Sequence, residues 1–423
     1  MSAIRLSNDE AKKGLELLSN LVSIDSTSPD GSKYEDIIHI LKEFYSDAGL
    51  SYEVIIVPEE YRKWHCPQAS SSPRYIFRGW IGDKKSREWL HFNGHYDVVP
   101  GGPGWTITEP FKPIIIDDKV YGRGTTDMKG GLVSMTLALM VLSKYEEKIN
   151  GFIDAVYVPD EEIGGACGTG FFVDKLGDRL PTYVIIAEPS TLKNIYIGHK
   201  GGLWAKVKIR GRTAHASTPW LGDNAFLHGV KIASWLEENY VKTLFSRKSK
   251  YAYDEPNGNI PTAMIGGEAG VPNGKSNQVP GEFYFTIDRR IIVEERLEDV
   301  ENELRQVVYE AARLYGLVEK VEIDIVSMVK PAFVPPDNPI SRSIKKTAVS
   351  LGLQEPRDVI CVGGLDLRYY TDRGVTAVSY GPGVPGVAHA PDEYVLFTDI
   401  IKASEIYANL PFRLFENSNI IQK

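Results

Sequence analysis

The sequence predicts an α/β protein in which a smaller α+β domain interrupts a larger α/β domain. Three observations carry that expectation. Up to Gly198, short continuous apolar runs alternate with helical patterns, the signature of strands buried on both faces of a largely parallel sheet. Beyond Gly198 the pattern becomes a strict alternation, as from Leu203 to Ile209, which suits antiparallel strands with one wet face. From Pro331 the first style resumes.

Element by element, Ser7-Asn8-Asp9-Glu10 reads as a capping box, with Leu15, Leu18, Leu21 and Val22 following at helical spacing. A turn-rich stretch over 26–32 leads to a second helix with Ile37, Ile38, Ile40, Leu41 and Phe44 inward. Strands are expected at 89–92, 152–158 and 183–187, with a helix over 130–145. Strand 203–209, a helix over 223–239, strand 283–287, a charged helix over 294–315 and strand 321–326 give the order of a split β-α-β sandwich. A helix at 340–351, strands at 358–362 and 376–379 and a helix at 398–410 close the chain. The expected division is 1–198 and 331–423 for the larger domain and 199–330 for the insert.

Composition narrows the function. With 423 residues, 43% hydrophobic and 25% charged, the chain is of ordinary globular type and long enough for more than one core. The 48 Lys and Arg against 56 Asp and Glu leave a net charge of −8, which disfavours nucleic acid or an anionic membrane as main partner. No apolar run nears the ~18 residues of a membrane span, and residues 1–21 lack the apolar core of a signal peptide. A cytoplasmic location is the expectation. Cys66, Cys167 and Cys361 are too scattered for a disulfide framework or a thiolate zinc site, and Cys167 is expected as a small core residue.

The chemistry gathers where strands end, the place where open α/β sheets bind ligands. Strand 89–93 runs into Gly94-His95-Tyr96-Asp97, strand 152–158 into Pro159-Asp160-Glu161-Glu162, and strand 183–187 into Glu188-Pro189-Ser190. Gly122-Arg123-Gly124-Thr125-Thr126-Asp127 and Ala388-His389-Ala390-Pro391-Asp392-Glu393 add two further loops. Imidazoles and carboxylates without thiolates suit Zn, Mn or Co. So many carboxylates exceed one four-coordinate ion and fit two ions sharing a carboxylate, which also relieve the repulsion among them. His39, His65, His91 and His228 stand outside any motif, and His91 is expected to pack in the sheet.

These five motifs, in this order along the chain, resemble the M20 metallopeptidases, a family of aminoacylases, deacetylases, desuccinylases and carboxypeptidases. The resemblance implies an aminopeptidase-like three-layer αβα catalytic domain holding two metal ions, with a ferredoxin-like lid that often dimerises. It implies that Asp127 bridges the ions, that His95 and Glu188 complete one site, and that Glu162 and His389 complete the other. Asp97 would orient the His95 ring through its second nitrogen, and Glu161 would be the general base, acting on a water between the ions. A cis peptide at Asp127–Met128 is also implied. His215, from Gly211-Arg212-Thr213-Ala214-His215, would stabilise the oxyanion, across a dimer in some members. Asn277, Arg290, Gly363 and Gly364 would bind a substrate carboxylate. The sequence departs from the pattern at Leu365, where a hydroxyl residue often stands, and a shift of one residue would make Arg289 the clamp instead.

The expected activity is therefore hydrolysis of N-acyl amino acids, or of short peptides beside a free carboxylate, with Zn, Co or Mn as cofactor. The expected form is a homodimer paired through the lid. Two alternatives are weighed: a dinuclear phosphoesterase, for which Arg123 and Lys129 are the cations at hand, and an inactive binding protein on the same scaffold.

Overall fold

Helix Asn8–Val22 starts at a complete capping box. The Ser7 hydroxyl accepts the Glu10 amide at 3.3 Å, and the Glu10 carboxylate accepts the Ser7 amide at 2.6 Å, satisfying amides that a helix start leaves bare. The computed structural model describes residues 3–69 and 71–418. Helix Tyr34–Asp47 buries Ile37, Ile38 and Leu41 as its spacing predicts, whereas Ile40 and Phe44 are only half-buried. Tyr34 and Tyr45 take the inward places, and the Tyr45 hydroxyl meets that of Tyr157 at 2.7 Å. An aromatic body with a partnered polar tip serves a core well, which aliphatic spacing alone does not foresee.

The chain divides into two compact units, one of Met1–Ile197, Val334–Asp358 and Leu365–Lys423, the other of Gly198–Phe333 and Val359–Gly364. In the first unit four neighbouring strands run parallel in the order Phe152–Val158, Trp89–His95, Tyr183–Ile186, Thr376–Ser379. The expected parallel sheet is thus its centre only. Ser51–Ile56 and Tyr75–Gly82 add an antiparallel edge, and Asn194–His199 joins antiparallel to Thr376–Ser379. Strand Ser51–Ile56 has no fully buried residue, so it carries no core periodicity to announce it.

Helix Gly130–Leu142 is buried at every position and packs against helices Asn8–Val22 and Phe397–Ser418. A helix that is apolar all round belongs inside a protein. Its start lies tight on a strand end: a Cβ at Gly131 would stand 2.0 Å from the Ala187 carbonyl oxygen.

The second unit is a four-stranded antiparallel sheet ordered Thr262–Gly270, Glu282–Ile291, Gly201–Arg210, Val321–Val329. Helices Ala225–Trp235 and Leu297–Leu314 pack on it. Phe283, Phe285 and Ile287 meet Leu203, Val207, Ile209, Leu304 and Val308 in one apolar cluster. That is the strand–helix–strand–strand–helix–strand order of a split sandwich, with Thr262–Gly270 the strand that the alternation had not placed.

The cysteine expectation needs correction. Cys66 and Cys167 form a disulfide across a sequence separation of 101, inside an apolar cluster with Val57, Ile76, Val156, Val158 and Phe172. Two cysteines so far apart leave no spacing motif, and only the packing of helix Glu59–His65 near residues 166–170 brings them together. Among the described residues no helix is long and apolar enough to cross a membrane.

Candidate metal centre

Parallel register levels the ends of three adjacent strands, with His95 opposite Val158 and Asn93 opposite Ile186. The turns that follow therefore deliver His95, Glu161, Glu162 and Glu188 to one edge. Asp127 arrives on the turn before helix Gly130–Leu142, next to a cis peptide at Asp127–Met128, as the resemblance implied. His389 comes from a loop, at a φ of 63° and with half its side chain exposed.

The side chains form two groups that share Asp127. His95 Nε2 lies 3.1 Å from Asp127 Oδ1 and 3.7 Å from Glu188 Oε1. His389 Nε2 lies 3.3 Å from Asp127 Oδ2 and 3.1 Å from Glu162 Oε1. Within each group the potential ligand atoms all fall within 4.8 Å of one another. Asp127 thus turns one oxygen to each group.

The electrostatics favour cations there. Burial alone would raise the Asp127 carboxyl, yet hydrogen bonds from His389 and His95 hold it far below the carboxylate range. Burial works against a charged His95 ring, but Glu188, Asp127 and Asp97 raise it well above its ordinary value. Hydrogen bonds with Asp127 and Glu162 push His389 up to about 10. The carboxylates hold a proton on each ring where a divalent cation would compete for it, and the donor set of imidazole and carboxylate fits such an ion.

Asp97 meets the second nitrogen of His95, as expected, and does more. The nearest partner of His95 Nδ1 is the Asp97 backbone carbonyl at 2.9 Å, with the carboxylate Oδ1 at 3.3 Å. The Asp97 carboxylate accepts the amides of Glu161 and Glu162 at 3.1 and 3.2 Å, so Asp97 ties the His95 strand end to the glutamate loop. Asp160 anchors that loop's start through Arg74 at 2.7 Å and Tyr34 at 2.9 Å. Arg368 and Tyr369 hold its far side, donating to the Gly164 carbonyl at 2.7 and 2.6 Å.

Burial drives the Glu161 carboxyl well above its ordinary range, and the negative Asp366 adds to the effect. Asp366 is itself buried, with Arg368 at 3.4 Å. From the sequence the loop was read past its glycines to Leu365, and Asp366 carried no role. Its one signal was its place directly after that loop. His91, expected to pack in the sheet, is fully buried and bonded to Asp154 at 2.7 Å and Tyr370 at 2.6 Å.

In the second unit, strand Ala214–His215 pairs with Gln278–Val279, setting His215 opposite Gln278 and beside Asn277. Both are exposed, with His215 Nδ1 2.7 Å from the Ser217 hydroxyl. Strand alternation separates the two arginines. Arg289 points inward, fully buried, and donates to Tyr240 at 3.0 Å and Glu295 at 2.6 Å. Arg290 faces the other way, held by Asp288 at 2.8 and 3.0 Å over the Trp204 ring. Gly363 and Gly364 lie on the turn between strand Arg357–Cys361 and helix Leu367–Thr371, and the Leu365 side chain is buried.

Residues 91–413 match the model of peptidase family M20/M25/M40. This protein is a metal-dependent hydrolase of amide bonds. More particularly, the chain belongs to that peptidase family. It is 27% identical over 422 residues to a probable succinyl-diaminopimelate desuccinylase of Staphylococcus aureus, covering 93% of this chain and 97% of that protein. Human carnosine dipeptidase 1 shares the fold at 16% identity, with a TM-score of 0.74 and 97% of each chain covered. A dinuclear metal binding peptidase of the M20 family from Bacillus subtilis does so at 14% identity and a TM-score of 0.71, covering 97% of this chain and 99% of that one.

Proposed function

We propose that this chain releases the amine from N-acyl amino acids, or cleaves short peptides beside a free carboxylate, using two divalent ions. The observation that carries the reading is Asp127, whose two oxygens each serve a separate His–carboxylate group. His95, Asp127 and Glu188 would hold one ion, and Asp127, Glu162 and His389 the other. Zn suits these ligands best, with Co and Mn also compatible. Bound there, two such ions supply Lewis acidity toward a carbonyl oxygen and a water. The desuccinylase relative and the B. subtilis peptidase support the reaction class and the ion count.

Glu161 is the general base of this reading. Its carboxylate takes a proton from the attacking water and returns it to the departing nitrogen, since an amide nitrogen leaves poorly as an anion. Asp97 holds the backbone of that base. His215 donates to the oxyanion, Arg290 and Asn277 engage the substrate carboxylate, and the Gly363–Gly364 amides assist without a hydroxyl. Residues 199–330 act as lid and dimerisation domain, and the enzyme works as a homodimer in the cytoplasm.

The phosphoester reading loses its cations. Arg123 is buried against Glu393, and the buried Lys129 donates to the carbonyls of Leu21 and Ile24 at 2.9 and 3.1 Å. The deciding experiment strips the protein of metal, reloads it with Zn or Co, and assays N-acetyl and N-succinyl amino acids and dipeptides. Metal-dependent amine release, absent in Glu161→Ala, supports the proposal. Silence across the panel with two ions bound rejects it.

A further inference from the structure

Arg123 and Glu393 lie in the two motifs that deliver Asp127 and His389, but neither belongs to a ligand group. Both side chains are buried and paired at 2.6 Å, Arg123 Nη1 to Glu393 Oε2. The other Glu393 oxygen accepts the amides of Thr126 at 2.9 Å and Asp127 at 3.1 Å. Arg123 donates to the carbonyls of His389, Ala390 and Gly101, each at 3.2 Å, and its guanidinium lies 5.4 Å from the Trp105 ring. One buried ion pair therefore joins three loops: that of Asp127, that of His389 and the one downstream of Asp97.

A buried ion pair seldom repays its own desolvation as stability. Here the remaining hydrogen bonds go to backbone, most of it on the loops of Asp127 and His389, which suits a role in geometry. The need for it is unequal. His95 and Glu188 sit at or just past strand ends, whereas His389 sits on a loop with no strand of its own. Two of the three ligands in the Asp127–Glu162–His389 group have a main-chain atom held by the pair, against one of three in the His95–Asp127–Glu188 group.

We infer that the Arg123–Glu393 pair is a positioning device that sets the affinity of the Asp127–Glu162–His389 site for its divalent ion. The His95–Asp127–Glu188 site depends on it less. The inference rests on the two-ion reading above. The test titrates metal-free wild type, Glu393→Gln and Arg123→Lys with Zn²⁺ or Co²⁺ against a chromophoric chelator, with circular dichroism to establish folding. Wild type is expected to bind two ions. Glu393→Gln should hold one ion within about threefold of its wild-type affinity and the other at least about tenfold more weakly, the usual scale for a partner lying behind a metal ligand. Arg123→Lys should weaken the same ion by less. In a His389→Ala background, which already lacks a ligand of that site, adding Glu393→Gln should move the remaining affinity by under about threefold.

Unchanged affinity at both sites in a folded variant, or equal weakening of both, overturns the inference. A wild-type chain that binds fewer than two ions overturns the two-ion reading instead. Should Glu393→Gln not fold, Arg123→Lys keeps the buried charges paired and decides the matter by the same titration.

Discussion

Glu161 and Glu162 are neighbours in sequence with the same side chain, and only their surroundings divide the labour between them. Glu162 bonds to His389, while the negative Asp366 and burial raise the carboxyl of Glu161. Replacing Glu161 with Gln should keep both ions, as measured by metal content, and cut kcat by about 10²- to 10⁴-fold, the ordinary yield of a general base. Asp97→Asn is a second test. An amide has one acceptor oxygen where the carboxylate now serves two backbone amides, so metal affinity should fall about 10- to 100-fold with the thermal midpoint of the metal-free protein little changed. The side chains proposed as ligands could be picked out in the sequence because a metal demands particular residue types at strand ends. Asp366, Arg368 and Tyr369 could not, because what they do depends on contacts made only after residues 160–165 and 365–369 have folded together.

Many elements with a buried face were legible, but strands Tyr75–Gly82 and Asn194–His199 were not placed despite their buried residues. The alternation over 203–209 and 283–287 announced the second unit, and the same alternation, once its register is known, assigns the two arginines. Arg289→Ala should lower the thermal midpoint by leaving Glu295 without its buried partner. Arg290→Ala should leave the midpoint alone and raise KM for a carboxylate-bearing substrate; the reverse pattern would remove Arg290 from the proposed pocket. The edge strand Ser51–Ile56, nowhere fully buried, stayed invisible for want of that periodicity. Gly131 shows an element constrained by its neighbour. In a helix Ala normally improves on Gly by about 1 kcal/mol, but here a Cβ would meet a backbone oxygen at 2.0 Å. Gly131→Ala should therefore destabilise, by about 1–3 kcal/mol as overpacked sites do, in thermal unfolding.

At the scale of the whole molecule, a reach of His215 into the neighbouring subunit's site would make the dimer the unit of activity. Mixing inactive Glu161→Gln and His215→Ala chains, with subunit exchange, should then restore about a quarter of wild-type turnover, because half the dimers form across variants and each carries one intact site. No recovery in confirmed mixed dimers would place His215 within its own subunit or outside the reaction. The change of pattern near Gly198 pointed to an interrupted architecture, but nothing in the sequence assigned Val359–Gly364 to the second unit. The disulfide was not readable, because 101 residues of intervening chain separate its halves.

That interruption has a consequence for biosynthesis. The ribosome releases His95, Asp127, Glu162 and Glu188 first, and His389 follows 201 residues after Glu188. At roughly 5–20 residues per second this gap lasts about 10–40 s. With the ligands as proposed, the nascent chain throughout it carries every ligand of one ion and only two of the three for the other. On that assignment metallation on the ribosome would be confined to the first ion, and the second would be captured from the cell's metal pool near the end of synthesis or after it.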